Sequence, residues 1–213
     1  MTKGRLLILG ASGHGKVVGD CAREAGHWSE LVFFDDRWPE LSSCGPWLVT
    51  GTGESLLNQA RPGDQAFVAI GHAETRLSLL QRMVAAGLEI TTVIHPSAVV
   101  SAGATVEAGC LVAAGAVVNI GTLLGLGCIV NTGATVDHDC VLDAGVHICP
   151  GAHLAGDVHI GRGTWVGIGS AVSQGIRIGQ GALIGAGSAV VDPVADWHTV
   201  AGVPARPLSA KNP

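Results

Sequence analysis

From residue 94 onward every sixth residue is aliphatic: Ile94, Val100, Val106, Val112 and so on to Ile184 and Val190 hold one phase over seventeen positions. A helix drifts out of register at that period and a simple strand repeats at two, so neither accounts for it. Other columns keep step. Three residues after each aliphatic, from 103 to 187, thirteen of fifteen positions are Gly, the exceptions being Asp139 and Asp157. Both residue types accept the positive φ of a tight corner. Two residues before each aliphatic the side chains are mostly small (Ala98, Ala104, Cys110, Ala116, Thr122, Cys128, Ala134, Cys140), which lets the walls of a narrow prism approach one another. A short strand and a corner every six residues, three to a turn, predict a parallel β-helix with 18-residue coils stacked about 4.8 Å apart. The repeat stops at Asp192-Pro193.

Residues 1–93 alternate differently and predict a small α/β, Rossmann-like domain ahead of a second domain over 94–213. Strands are expected over 5–9, 31–34 and 66–70, and helices over 16–25 and 73–86. Between 36 and 65 the pattern is weak, with one short helix near 54–59. The loop Gly10-Ala11-Ser12-Gly13-His14-Gly15 joins the first strand to the first helix, where backbone N–H groups face an anion. Its spacing is G-x-x-G-x-G and not G-x-G-x-x-G, which speaks against a redox dinucleotide. Ligands of open α/β sheets sit beyond the carboxyl ends of the strands. That edge gathers Gly13, Gly15, Asp35, Asp36, Gly71 and His72, with glycines to suit a pyrophosphate and carboxylates to suit sugar or ribose hydroxyls.

Composition narrows the class. Gly contributes 32 of 213 residues while hydrophobics reach 47%, too apolar for disorder. Aromatics are 4%, so small aliphatic side chains in a regular frame must supply the core. A net charge of -5 argues against nucleic acid as partner. Absence of a long uninterrupted apolar run argues against membrane insertion. Six Cys without CxxC spacing, and no secretory pattern in MTKGRLLILG, point to a reduced, cytoplasmic protein.

Departures from the repeat carry the candidate chemistry. In Val136-Asp137-His138-Asp139 an imidazole occupies an outward corner and Asp replaces the corner Gly, so Asp139 is placed to bond the ring and raise its basicity. His147 lies nine residues on, half a coil, and so faces the opposite side, about 18 Å away. If both act in catalysis, a neighbouring prism must bring them together, and a three-sided prism suits a cyclic trimer. His147, His153 and His159 fall on three successive faces and not around one ion, so no metal is expected.

GASGHGKVV, Asp35-Asp36, AIGHAETR, IHPSA, NTGATVDHDC, GVHICPGAHLAGDVHIG and VAGVPAR together resemble the hexapeptide-repeat acyltransferases of the sialic-acid O-acetyltransferase-like group. Within it the chain is most similar to bacterial N-acetyltransferases of nucleotide-linked 4-amino-4,6-dideoxysugars, of the bacillosamine and perosamine type. The resemblance implies a left-handed β-helix, a homotrimer with active sites between subunits, and acetyl-CoA as co-substrate. It implies that His138 is the general base, Asp139 its acidic neighbour, and His147 the residue at the thioester end. Gly156 and Ile168 would line the pantetheine groove, Asn131 would contact the sugar, and Gly13, His14, Gly15, Asp35 and Asp36 would hold the nucleotide sugar. The alternative activity is O-acetylation of sialic acid or a related sugar, which needs the same base.

Overall fold

A computed structural model describes residues 4–208. Residues 1–3 and 209–213, the outer ends of the two expected domains, lie outside the described residues. The chain divides into two compact units at Pro96/Ser97, where the repeat placed the junction after residue 93.

In the first unit β1 (Arg5–Leu9), β2 (Glu30–Phe34), β5 (Gln65–Val68) and β6 (Glu89–Ile90) form a parallel sheet in the order β2-β1-β5-β6. Strands β1, β2 and β5 bury near-continuous apolar runs, as strands covered on both faces must. Helices α1 (Gly13–Ala25), α2 (Gly53–Gln59) and α3 (Ala73–Ala85) connect them. A two-stranded hairpin, β3 (Ser43–Cys44) with β4 (Trp47–Leu48), occupies the stretch where the sequence pattern was weak. Its Trp47 ring lies 5.3 Å from Phe33, which gives so short a hairpin its anchor.

Helix α1 starts three residues earlier than its apolar face suggested, so Gly13, His14 and Gly15 form its first turn. Glycine is a poor helix former, but a Cβ at Gly15 would collide with the carbonyl of Gly10, and only Gly permits that approach. Ile94 also departs from expectation. In the strand Val93–Ile94 it is Val93 that is buried, and the strand packs on α1 while Ile94 is partly exposed. The interior column of the second unit therefore begins at Val100.

The second unit is the expected three-walled parallel β-helix. Each wall stacks two-residue strands 18 residues apart in parallel register: Leu111↔Ile129↔His147↔Trp165↔Leu183 on the first, Val117↔Thr135↔His153↔Ala171↔Ala189 on the second, and Leu123↔Val141↔His159↔Arg177 on the third. The second residue of each pair points inward, and from Val112 to Val190 this column is buried. Each such side chain contributes about 1.5–3 kcal/mol on burial. Cys110, Cys128 and Cys140 fill the narrow inner slots and donate to the carbonyls of Gly125, Asp143 and Ala155, each fifteen residues on at 3.2 Å. They pack. Antiparallel pairing of Arg206–Pro207 onto Thr199–Ala201 closes the end. Among the described residues no helix is long and apolar enough to cross a membrane, and no group of three or more His, Cys, Asp or Glu side chains is placed to hold a metal ion.

Candidate active site

His138 and Asp139 sit on the corner between the second and third walls. Asp139 takes the left-handed conformation of the glycines it replaces, with φ 59°. Its carboxylate lies over Gly121, one coil below, where a Cβ would overlap it. There it accepts a hydrogen bond from His138 Nδ1 at 2.9 Å. The His138 ring extends the other way, onto Gly156 in the next coil, where a Cβ would run into Nε2 and Cε1. With Nδ1 bonded to the carboxylate, the Nε2 lone pair is the one available to take a proton. The bond to Asp139 is the main cause that raises the His138 pKa above the ordinary imidazole value, with burial opposing and the charges of Asp137, Asp139 and Asp157 adding to the rise.

The backbone ahead of this pair is tied down. Asp137 Oδ1 accepts from the His138 N–H and from Asn119 Nδ2, both at 2.8 Å, and Thr122 Oγ1 donates to the Asp137 carbonyl at 2.7 Å. The two bonds to Oδ1, from the His138 N–H first and Asn119 second, hold the Asp137 carboxyl below its usual range. An imidazole that works as a general base loses its proton-accepting form as pH falls, so if His138 has that role the acid limb of kcat/KM is expected above the ordinary imidazole pKa of about 6.5. Replacing Asp139 by Asn removes the largest cause of the rise. The limb should then move to lower pH, as measured by kcat/KM between pH 5 and 9.

His147 lies on the first wall, on a different side of the prism from His138, as the half-coil spacing required. It is 4% exposed, with its ring 4.1 Å from that of Trp165 one coil on. The Asn131 amide reaches it: Oδ1 accepts from the Thr132 N–H at 2.8 Å, which turns Nδ2 toward His147 Nε2 at 3.2 Å. That arrangement makes Nε2 the acceptor and leaves the ring proton on Nδ1. Asn131, expected at the sugar, is thus engaged with His147. Ile168 stands exposed just past this wall. His153 meets Thr135 on the second wall and His159 meets Arg177 and Asp143 on the third, so the three histidines do not converge.

At the carboxyl end of the first unit's sheet the candidates separate into distinct roles. Asp35 is buried; it accepts from the Ala11 N–H at 2.8 Å and forms a two-pronged ion pair with Arg37 at 2.8 and 2.9 Å. Chiefly through Arg37, its pKa is pushed down to about 2. His72 caps α3, accepting from the Thr75 N–H. His14 is held down to about 4 by burial and by the charge of Arg76, so it is neutral near pH 7. Arg76, fully buried, donates to the carbonyls of Ile70 and Gly71 at 2.8 and 2.7 Å. Asp36 takes the Gly53 N–H at 2.8 Å and lines two adjoining cavities, of about 370 and 330 Å³. Gly71 lines the first of these, while Gly13 has open space beside its Cα.

A sequence profile described as the PglD N-terminal domain matches residues 5–83. The UDP-N-acetylbacillosamine N-acetyltransferase of Bacillus subtilis is 34% identical over 98 residues, 45% of each chain. Over nearly the whole length, the chain matches the acetyltransferase domain of PglB from Neisseria gonorrhoeae, solved with acetyl coenzyme A. The identity is 43% and the TM-score 0.93, covering 98% of this chain and 100% of that one. This chain belongs to the hexapeptide-repeat acetyltransferases. PerB from Caulobacter crescentus, solved with CoA and GDP-perosamine, is 35% identical with a TM-score of 0.90 over 97% of this chain and 98% of that one.

In this acetyltransferase the single chain brings His138, Asp139 and Gly156 together, and separately Asn131 and His147, but it does not unite the two groups. Sequence reasoning missed Asn119, Thr122 and Asp137, whose bonds fix the corner, and Trp165, which packs the His147 ring. The one available signal was periodic: Asn119 and Asp137 stand 18 residues apart, hence on one column.

Proposed function

We propose that this chain transfers an acetyl group from acetyl-CoA to the 4-amino group of a nucleotide-linked 4-amino-4,6-dideoxyhexose, by direct attack, at sites shared between the protomers of a homotrimer. The observation that carries this reading is the His138–Asp139 pair, its Nε2 turned outward beside Gly156, in a chain whose relatives are solved with acetyl-CoA or with CoA and GDP-perosamine.

The amine nitrogen attacks the thioester carbonyl and forms the new C–N bond, while His138 Nε2 takes the nitrogen's proton. The tetrahedral oxyanion collapses, the C–S bond breaks, and the CoA thiolate leaves; the proton on His138 can then pass to that sulfur or to solvent. His147, brought by the neighbouring protomer, lies at the thioester end, with Ile168 beside the pantetheine arm. A covalent route through Cys140 is disfavoured. Its thiol is buried and donates to the Ala155 carbonyl, and burial raises its pKa, so it is neither exposed nor ionised. The first unit supplies the nucleotide-sugar site, with the α1 turn at Gly13–Gly15 toward the phosphates and Asp36 toward hydroxyls.

A panel of UDP-, GDP- and dTDP-linked 4-aminosugars with acetyl-CoA, followed by CoA release, tests this. Turnover of at least one amino sugar, well above that of sialic acid or a hydroxyl acceptor, is expected. Turnover of the hydroxyl acceptor alone would assign O-acetylation instead.

A further inference from the structure

We infer that Arg37, held in place by Asp35, is the cation that receives the diphosphate of the nucleotide sugar. This rests on the nucleotide-sugar reading of the first unit and names the residue that gives it charge selectivity.

A nucleoside diphosphate brings at least two negative charges into the cavity of about 370 Å³ at the glycine loop. Two carboxylates, Asp35 and Asp36, already line that cavity, so an anion needs a compensating cation. The sequence offers His14, but its burial and its proximity to Arg76 keep the imidazole neutral near pH 7, so it can give a hydrogen bond and no charge. Arg76 is buried, with its guanidinium turned to the carbonyls of Ile70 and Gly71. Among the described residues lining the cavity, Arg37 is the one cation.

Its geometry suits the task. Nε and Nη2 engage the two Asp35 oxygens, and the same carboxylate receives the Ala11 N–H of the glycine loop. Arg37 and the loop are therefore fixed to one another through a single buried group. Three of the five guanidinium N–H groups take no part in the Asp35 fork. The side chain is 60% exposed, so its head stands at the rim and not in the core. A planar fork already anchored on one edge loses little freedom when its other edge binds an oxyanion. Helix α1 adds to the same side: Ser12 lends it no side-chain cap, and no acidic residue stands in its first turn to compete.

The test is titration calorimetry of the full chain with UDP, GDP and dTDP, and with uridine, guanosine and thymidine, at several NaCl concentrations. Arg37→Ala is expected to weaken the tightest-binding diphosphate by about 10- to 100-fold and to leave its nucleoside unchanged. It should also flatten the dependence of affinity on salt, because an exposed charge contact has been removed. Arg37→Lys, which keeps the charge and loses the fork, should fall between. Equal loss for diphosphate and nucleoside, with an unchanged salt dependence, would show that Arg37 only clamps the loop and would overturn the inference. Unchanged diphosphate affinity would overturn it too. If the unaltered protein binds none of the three diphosphates, the nucleotide-sugar reading itself fails, and Arg37 falls with it. A thermal melt matching the unaltered protein confirms that the variant is folded.

Discussion

His138→Asn is expected to lower kcat by about 10²- to 10⁴-fold while both substrates still bind. Asparagine keeps a polar group near the Nδ1 position and so can still meet Asp139, but it offers no basic nitrogen where Nε2 stands. The ring is half exposed and lies on the prism surface, so stability should change little. Near-normal kcat in the folded variant, with acetyl-CoA and amino sugar bound, would exclude the base role. The same variant tests assembly. Mixed with a His147→Ala chain in equal amounts, it leaves about one quarter of the sites in a random trimer with both imidazoles intact, provided each site draws one from each of two protomers. Recovery of activity toward that fraction is the expected result. No recovery in trimers verified as mixed would place the whole site in one chain, where half a coil separates the two rings.

Gly156→Ala should cut kcat by about 100-fold with almost no effect on the melting temperature. The reasoning separates stability from catalysis. Gly156 has no left-handed φ to protect, so alanine adopts its backbone without strain. What the new methyl meets is the His138 ring, an exposed side chain that can swing away cheaply. The ring then leaves its seat, and a displacement of about 1 Å at a proton-transferring atom costs on the order of 100-fold in rate. The pH profile carries a second signature: a ring drawn off Asp139 loses the main cause of its raised pKa, so the acid limb should move down together with kcat. An unchanged kcat would mean that the imidazole does not work from this seat. A large fall in melting temperature would mean that Gly156 is structural.

The phase of the prism was legible from sequence because its cause is strictly periodic. An inward aliphatic at every sixth residue, a positive-φ corner three residues on and a small slot two residues before are local demands. Each coil repeats them, so Val112 through Val190 announce their burial without knowledge of any neighbour. His138 and Asp139 stood out for the same reason, as polar exceptions in a regular column. Ile94 shows the limit: it keeps the count of six, yet its strand packs on a helix of the first unit, and burial falls to Val93 instead.

The tertiary structure alone decided which polar groups are already engaged. Asp35 and Asp36 are neighbours of one chemical kind and both line the glycine-loop cavity, but packing commits Asp35 to Ala11 and Arg37, while Asp36 takes the Gly53 N–H and lines the adjoining cavity as well. His14 and His72 both looked like ligands of a nucleotide; burial makes one neutral, and a helix start takes up the other. Asn131 came to His147, and the ring of His138 to Gly156, across coils that lie 16 and 18 residues apart in the chain. Hydrogen bonds and charges act over a few ångströms in space, whatever their separation in sequence, so a linear pattern can name the residues of a site but cannot assign their partners.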